Sequence, residues 1–368
     1  MKDLELYIHI PFCKSKCYYC DFCSTSSQKY MDEYMSKLVI EAKKISSRLN
    51  DYVVKSIFIG GGTPSMLPDG YLLKTVSNIK EYFNLDVKEF TVECNPESIS
   101  EEKLIELKEL VVNRLSIGVQ TLNDKILKLL NRIHTKDIAI EKVKLAKKYF
   151  SNVSIDMMIG LPNQTNDDIS FIIKTFSDIG VKHISCYTLQ LEEKTVLKKM
   201  VDEKKVVMKT DDEISDMYNY AVKTLSEYGF NRYEISNFQK DNHYSMHNLG
   251  YWKRVDYIGL GVSAHSLINN VRFSNTNSLQ KYLNGSEYES EAKLSFDDRL
   301  FEEIMLGLRL TEGIDIKYIN EKYDIDFCKK YEKQLKYLSK FIILSDNNIR
   351  IKDKYFEVSN SIIVEFMD

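Results

Sequence analysis

One repeat limits what this chain can fold into more than any other feature. From residue 4 to about 190, a short apolar run rich in β-branched and aromatic residues is followed by a loop with Gly, Pro or Asn, then by a longer stretch of helical period. Units of this kind, repeated in order, are accommodated by parallel strands that each return through a helix. The spacing predicts strands over residues 4–10, 53–60, 89–94, 114–119, 153–159 and 183–189, and helices over 30–49, 68–83, 101–110, 136–150 and 167–179. Ser100 and Asn166 stand where helix N-caps belong. The expectation is an α/β fold whose polar groups, just past the strand ends, form the site.

Beyond Thr210 the rhythm weakens. A helix over 210–228 leads into a Tyr- and Asn-rich stretch, 232–252, that has no clear period and reads as a binding segment. Helical patterns over 299–310, 316–322 and 327–338 then precede two strand-like runs, 341–345 and 349–351, around Asp346-Asn347-Asn348. Helices followed by a hairpin resemble a winged helix. Because one hydrophobic core stops growing at roughly 250–300 residues, we expect a division into residues 1–228, a connecting and binding segment 229–295, and a C-terminal module 296–368.

Charge and cysteine usage narrow the function. The chain carries a net charge of −3, and residues 296–368 hold 12 Lys+Arg against 15 Asp+Glu, so no basic face is expected to displace counterions from nucleic acid. Acids in Met1-Lys-Asp-Leu-Glu-Leu, and the lack of an apolar run near the ~18 residues that span a bilayer, predict a cytoplasmic protein that is not integral to a membrane. Of seven cysteines, four fall between Cys13 and Cys23, which suits a metal site in a reducing compartment better than a disulfide framework.

Cys13, Cys17 and Cys20 have Cx3Cx2C spacing on the loop after the first strand, and such a loop can wrap three corners of a [4Fe–4S] cubane. A fourth iron left open can chelate an amino and a carboxylate group, and an electron passed to S-adenosylmethionine there would release a 5′-deoxyadenosyl radical. Zinc held by all four clustered cysteines, or a closed cluster that also uses Cys23, are the competing readings. Cys94, Cys186 and Cys328 are isolated and read as buried small apolar residues.

After the second strand, Gly60-Gly61-Gly62-Thr63-Pro64 lets backbone approach a ligand closely. Later strand ends bring Glu93, Gln120, Arg132 and Asp156: carboxylates for ribose hydroxyls and a sulfonium or ammonium charge, and a guanidinium fork for a carboxylate. Each alone is equally well a structural ion pair; their recurrence favours a ligand site.

These motifs, with Tyr-Ile-His-Ile-Pro-Phe-Cys13, Glu93-Cys-Asn-Pro, Asp156-Met-Met-Ile-Gly-Leu-Pro, Tyr233-Glu-Ile-Ser-Asn-Phe, Gly-Leu-Gly-Val-Ser-Ala-His265 and Met305-Leu-Gly-Leu-Arg309, resemble the radical S-adenosylmethionine superfamily. The likeness is to its branch of oxygen-independent coproporphyrinogen III dehydrogenases. It implies a partial (β/α)6 barrel with a helical, winged-helix-like C-terminal domain. It also implies S-adenosylmethionine contacts from Tyr7, Tyr19, Gly61, Gly62, Thr63, Glu93, Gln120, Arg132 and Asp156. The dehydrogenases carry a Cx3Cx2CxC run and a long leading segment. Here Phe22 replaces the fourth cysteine, Cys23 comes one residue late, and twelve residues precede Cys13.

Both departures favour the branch's haem-chaperone subgroup, as does His247-Asn-Leu-Gly-Tyr251-Trp252, which is similar to a motif assigned to haem binding. The resemblance implies haem as cargo for membrane-associated respiratory proteins. Its alternative is radical decarboxylation of coproporphyrinogen III propionates. Physically, His247 offers an imidazole to haem iron, and Tyr251 and Trp252 offer walls to a porphyrin, although a His among aromatics is equally an ordinary buried side chain. His265 is expected to line the nucleoside pocket, and His9 either to hydrogen-bond near the cluster loop or, equally, to play a structural role.

Overall fold

A computed structural model describes residues 1–285 and 288–367. Its centre is six parallel strands, neighbours in chain order: β1 (Lys2–Ile10), β2 (Tyr52–Gly61), β3 (Leu85–Cys94), β4 (Arg114–Gln120), β5 (Asn152–Ile159) and β6 (His183–Thr188). Between them run α1 (Met31–Ser46), α2 (Tyr71–Lys80), α3 (Glu101–Glu109), the pair α4 (Asp124–Leu129) and α5 (Lys136–Tyr149), and α6 (Asn166–Asp178). The alternation of side chains explains why these runs are strands. On β1, Leu4, Leu6, Ile8 and Ile10 are buried in one core with Leu38 and Ala42 of α1, while Glu5, Tyr7 and His9 occupy the other, inner face.

Helix starts follow their caps. The Ser100 hydroxyl accepts the Lys103 N–H at 3.1 Å. At α6 the expectation of Asn166 is corrected: Thr165 is the cap. Its hydroxyl accepts from Asp168 N at 3.2 Å, and the Asp168 carboxylate accepts from Thr165 N at 2.8 Å, a reciprocal box that starts the helix one residue earlier.

The sheet continues past both edges of the six strands. After α7 (Val196–Asp202) and α8 (Asp211–Glu227), β7 (Asn231–Arg232) and β8 (Asn237–Gln239) add antiparallel to β6. The stretch 232–252 therefore is not irregular, and it ends in α9 (Met246–Trp252). On the far edge β9 (Tyr257–Leu260) runs parallel to β1, followed antiparallel by β10 (His265–Ile268), β11 (Val271–Asn275) and β12 (Tyr288–Lys293), with α10 (Leu279–Leu283) before β12. Short strands of two to six residues carry too few alternations to register as period 2.

The C-terminal region is helical with a small sheet: α11 (Phe296–Gly307), β13 (Ile314–Asp315), α12 (Ile316–Tyr323), α13 (Phe327–Lys330), α14 (Glu332–Tyr337), β14 (Ile342–Leu344), β15 (Asn348–Ile351) and α15 (Ser359–Ile363). It buries its own core, from Leu300 to Phe366. The helix expected over 327–338 breaks at Tyr331 (φ −105°), whose ring packs on Phe327 and Phe366. Cys94 and Cys186 are buried as expected, but Cys328 is exposed, because the short α13 buries only Phe327. Glu302 of α11 ties this region to the sheet by pairing with Arg254, at 3.1 Å, and with Arg272.

Candidate cluster and nucleoside site

The cysteine loop folds back on the end of β1. Thr25 N donates to Pro11 O at 2.7 Å and Cys13 N to Thr25 O at 2.9 Å, while Tyr18 N reaches Leu130 O, past the end of α4, at 3.0 Å. Cys13 is buried, and Cys17 and Cys20 are half-buried. Burial pushes the Cys13 and Cys20 thiols up, and the charge of Cys17 acts on both in the same sense. Cys23 turns elsewhere: its Sγ donates to Asn277 O at 3.4 Å, and its thiol is raised by burial and lowered by Lys16, as the other two are, but without the push from Cys17. The first three cysteines form one electrostatic group, and Cys23 stands outside it.

Beside this loop the glycines are pinned. Gly62 N donates to Ile10 O at 2.8 Å and Thr63 N to Phe12 O at 2.7 Å, strapping β2's exit to the start of the cysteine loop. Gly61 has φ +107° and packs so closely on His9 that a Cβ would stand 2.6 Å from its Nδ1. As expected of His9, it hydrogen-bonds near the loop. Its Nε2 meets Cys23 O at 2.8 Å, so that nitrogen carries the proton and Nδ1 accepts from Tyr7 Oη at 3.0 Å.

Two carboxyl groups face this cradle. Glu93 Oε2 accepts from Gly61 N at 3.0 Å, and burial, then the neighbouring Asp156 carboxylate, push Glu93 up to about 7. Burial also raises Asp156, although Ser116 donates to it at 3.1 Å. Two neighbouring acids that burial pushes up fit a cationic ligand, whose charge would favour their ionised forms; a sulfonium nucleoside with an ammonium group meets that need. At the end of β4, Gln120 adopts φ +66° beside a bulge, backbone strain of the kind worth about 1–3 kcal/mol that gathers at ligand sites. Arg132 donates to Cys17 Sγ at 3.5 Å, to Asn95 Oδ1 at 3.0 Å and to Gly118 O, and its buried Nε has no partner among the described residues. Tyr19 lies against Cys17 and Arg132.

The structure thus gathers Cys13, Cys17, Cys20, Tyr19, Gly61, Gly62, Thr63, Glu93, Gln120, Arg132 and Asp156 at the carboxy ends of the strands, with Tyr7 reaching them through His9. His265 is not among them: it is exposed on β10. Asn95 was missed. Its one signal was its place in Glu93-Cys94-Asn95-Pro96.

His247, Tyr251 and Trp252 lie at the opposite, amino-terminal end of the barrel. There α9 plugs the inner face, its first amides donating from Met246 N and His247 N to the Glu89 carboxylate at 2.8 and 3.1 Å. His247 is 1% exposed. Its Nδ1 meets Ser56 Oγ at 2.5 Å and Glu5 Oε2 at 3.0 Å, its Nε2 meets Tyr251 Oη at 2.8 Å, and its ring stacks 5.1 Å from Phe58. Burial lowers His247 to about 3 and raises Glu5 to about 8, so the pair is a neutral imidazole beside a neutral acid at pH 7. Trp252 is half-buried beneath the Arg309 guanidinium, 5.8 Å from its ring.

Comparisons with known proteins show the family and the fold. Residues 7–176 match the family described as Radical SAM superfamily, and residues 294–356 the HemN C-terminal domain. The chain is 34% identical to the heme chaperone HemW of Lactococcus lactis over 100% of its own length and 98% of that protein. It is 36% identical to the Bacillus subtilis heme chaperone HemW over 86% of each chain, and 31% identical to that of Escherichia coli over 85% and 84%. Among solved structures, coproporphyrinogen III oxidase (HemN) from Escherichia coli, a radical SAM enzyme, superposes with a TM-score of 0.87 at 22% identity, covering 100% of this chain and 90% of that one. That likeness is one of fold.

Proposed function

The chain belongs to the radical SAM superfamily and, within it, to the HemW family, and on that premise we propose that it is a haem chaperone that also holds a [4Fe–4S] cluster and S-adenosylmethionine. The observation that carries the site is the turning of Cys23 toward Asn277 O, which supports ligation by Cys13, Cys17 and Cys20 with one corner left for the nucleoside. When bound, the cluster and S-adenosylmethionine supply a low-potential electron and a source of 5′-deoxyadenosyl radical.

The chain's own groups have separate tasks in this reading. Gly61, Gly62 and Thr63 present backbone to the nucleoside. Glu93 and Asp156 take its ribose hydroxyls and positive charge, and Arg132 stands between the cluster loop and the nucleoside. Tyr19 and Gln120 wall the site, while Tyr7 fixes the His9 tautomer from below.

Haem is the cargo, and His247, Tyr251 and Trp252 are its proposed contacts. Because Nε2 of His247 is already bonded to Tyr251, iron ligation requires that bond to open. The acceptors we propose are respiratory proteins at the membrane, reached from the cytoplasm. Among the described residues, no helix is long and apolar enough to cross a membrane. The division into residues 1–228, 229–295 and 296–368 belongs to the same proposal.

Anaerobically prepared, reduced protein supplied with S-adenosylmethionine tests the reading when haem and coproporphyrinogen III are offered in parallel. A chaperone binds haem and returns the porphyrinogen unchanged; formation of protoporphyrinogen IX would overturn it.

A further inference from the structure

Two of the three cluster cysteines are connected by an unbroken line of hydrogen bonds that passes through one residue given no role so far. Arg132 Nη1 donates to Cys17 Sγ at 3.5 Å, and Arg132 Nη2 donates to Asn95 Oδ1 at 3.0 Å. Asn95 Nδ2 donates to Thr63 Oγ1 at 2.9 Å, and Thr63 Oγ1 donates to Cys13 Sγ at 3.7 Å.

The polarity of this line is forced. A guanidinium only donates, so the Asn95 atom facing Arg132 is the carbonyl oxygen. The amide nitrogen then faces Thr63 and can only donate to its hydroxyl. That occupies an acceptor site on Thr63 and directs its single proton to Cys13. Both ends of the line therefore present hydrogen to sulfur. Reversing the amide would set N–H against N–H at Arg132 and leave Thr63 free to turn its proton away from Cys13.

The surroundings hold Asn95 in place. A Cβ on Gly118 would stand 2.8 Å from Asn95 Oδ1, so glycine there permits the approach. The Asn95 main chain is clamped by Ser98, whose hydroxyl donates to Asn95 O at 2.8 Å and accepts from Asn95 N at 3.3 Å. The residue opens the turn after β3 and directly follows Cys94, two residues from Glu93 of the cradle.

Hydrogen bonds to cluster sulfurs, with burial, are among the levers by which a protein sets a cluster's potential. They stabilise the more negative, reduced state. We propose that Asn95 is a positioning residue that orients Arg132 and Thr63 onto Cys17 and Cys13, and so raises the reduction potential of the cluster's 2+/1+ couple. The proposal rests on the cluster reading above and adds to it a residue and a measurable property.

The test uses full-length, anaerobically reconstituted protein, with iron and acid-labile sulfide counted first and the midpoint potential then read by EPR-monitored titration. A wild-type chain without a cluster would sink the cluster reading itself, independently of Asn95. With the cluster present, Asn95→Leu and Thr63→Val should each shift the potential to more negative values, and Thr63→Ser should restore it. The double variant should shift by less than the two singles together, because Asn95 acts partly through Thr63. A potential unchanged in Asn95→Leu at full cluster content, or a strictly additive double variant, would overturn the proposal. Should Asn95→Leu fail to hold a cluster, Thr63→Val, which loses only a hydroxyl, decides: an unchanged potential there is equally fatal.

Discussion

Nε2 of His247 and the hydroxyl of Tyr251 lie 2.8 Å apart, one turn from each other on α9. A hydrogen bond of this kind is worth about 1 kcal/mol net, and any metal that takes Nε2 must first displace it. If His247 ligates haem iron, Tyr251→Phe removes the competitor. We predict a haem affinity about fivefold higher in Tyr251→Phe and a lost haem signature in His247→Ala, both read by absorbance titration. Equal weakening in both variants would mean that the Tyr251 hydroxyl itself holds haem, rather than latching His247 while the ring serves as a wall.

Gly250 sits inside α9, where glycine ordinarily costs a helix about 1 kcal/mol relative to alanine. It is there because a Cβ would stand 2.6 Å from Glu5 Cδ. Gly250→Ala should therefore destabilise the fold by about 1–3 kcal/mol through overpacking, in spite of its better propensity. Adding Glu5→Ala should recover part of that loss in urea unfolding. A Gly250→Ala protein as stable as the wild type would show that the plug is loosely seated.

The same plug makes stability depend on pH in two opposed ways. Glu5 has its value raised from 4.5 to about 8 by burial and by Glu89, so the folded state holds a proton that the unfolded chain gives up, and stability falls as pH rises across that window. His247, lowered from 6.5 to about 3 by burial, acts in the opposite sense: its contribution is present above 6.5 and is lost as pH falls toward 3. Above pH 6.5 the Glu5 effect stands apart from that of His247. Glu5→Gln should make the decline in urea stability between pH 6.5 and 8 shallower, though not flat, since Glu93 and Glu234 are each raised to about 7. An unchanged slope would contradict the buried neutral acid.

Glu93 ties ligand binding to pH as well. With its value raised to about 7 by burial and by Asp156, a cationic ligand must drive off a proton in part of the population to gain the full carboxylate. S-adenosylmethionine affinity, measured calorimetrically, should rise by up to about tenfold from about pH 6 to about pH 8. In Glu93→Gln it should be weaker and level across that range. A wild-type affinity that falls with pH would remove Glu93 from contact with the positive charge.

How much of this was legible depended on what each signal encodes. The six central strands were readable because each is a short, nearly continuous apolar run set between loops and helical stretches, as strands covered on both faces are, and the start of β1 at Lys2 rather than Leu4 shows the usual uncertainty at an end. The cysteines and the Gly60–Gly62 run were legible because their spacing is itself chemistry. Strands β7 to β12 were not, since pairing partners such as Tyr257 with Glu5 lie far apart in sequence and short strands leave no period. His247 was legible as a residue but not as a buried one: its partners Ser56 and Glu5 are 191 and 242 positions away, and a local pattern carries no information about them. Asn95 escaped for a related reason, because its role lies in joining Arg132 to Thr63, and neither is its neighbour in the chain.

The central claim is that three thiols hold the cluster and that the fourth iron faces the glycine cradle. The most direct test is the EPR spectrum of the dithionite-reduced Cys23→Ser protein, recorded before and after S-adenosylmethionine is added. The account predicts a cluster signal as intense as that of the wild type, whose g-values move when the nucleoside is added. A variant that has lost the signal, or one whose spectrum is indifferent to the nucleoside, would contradict it.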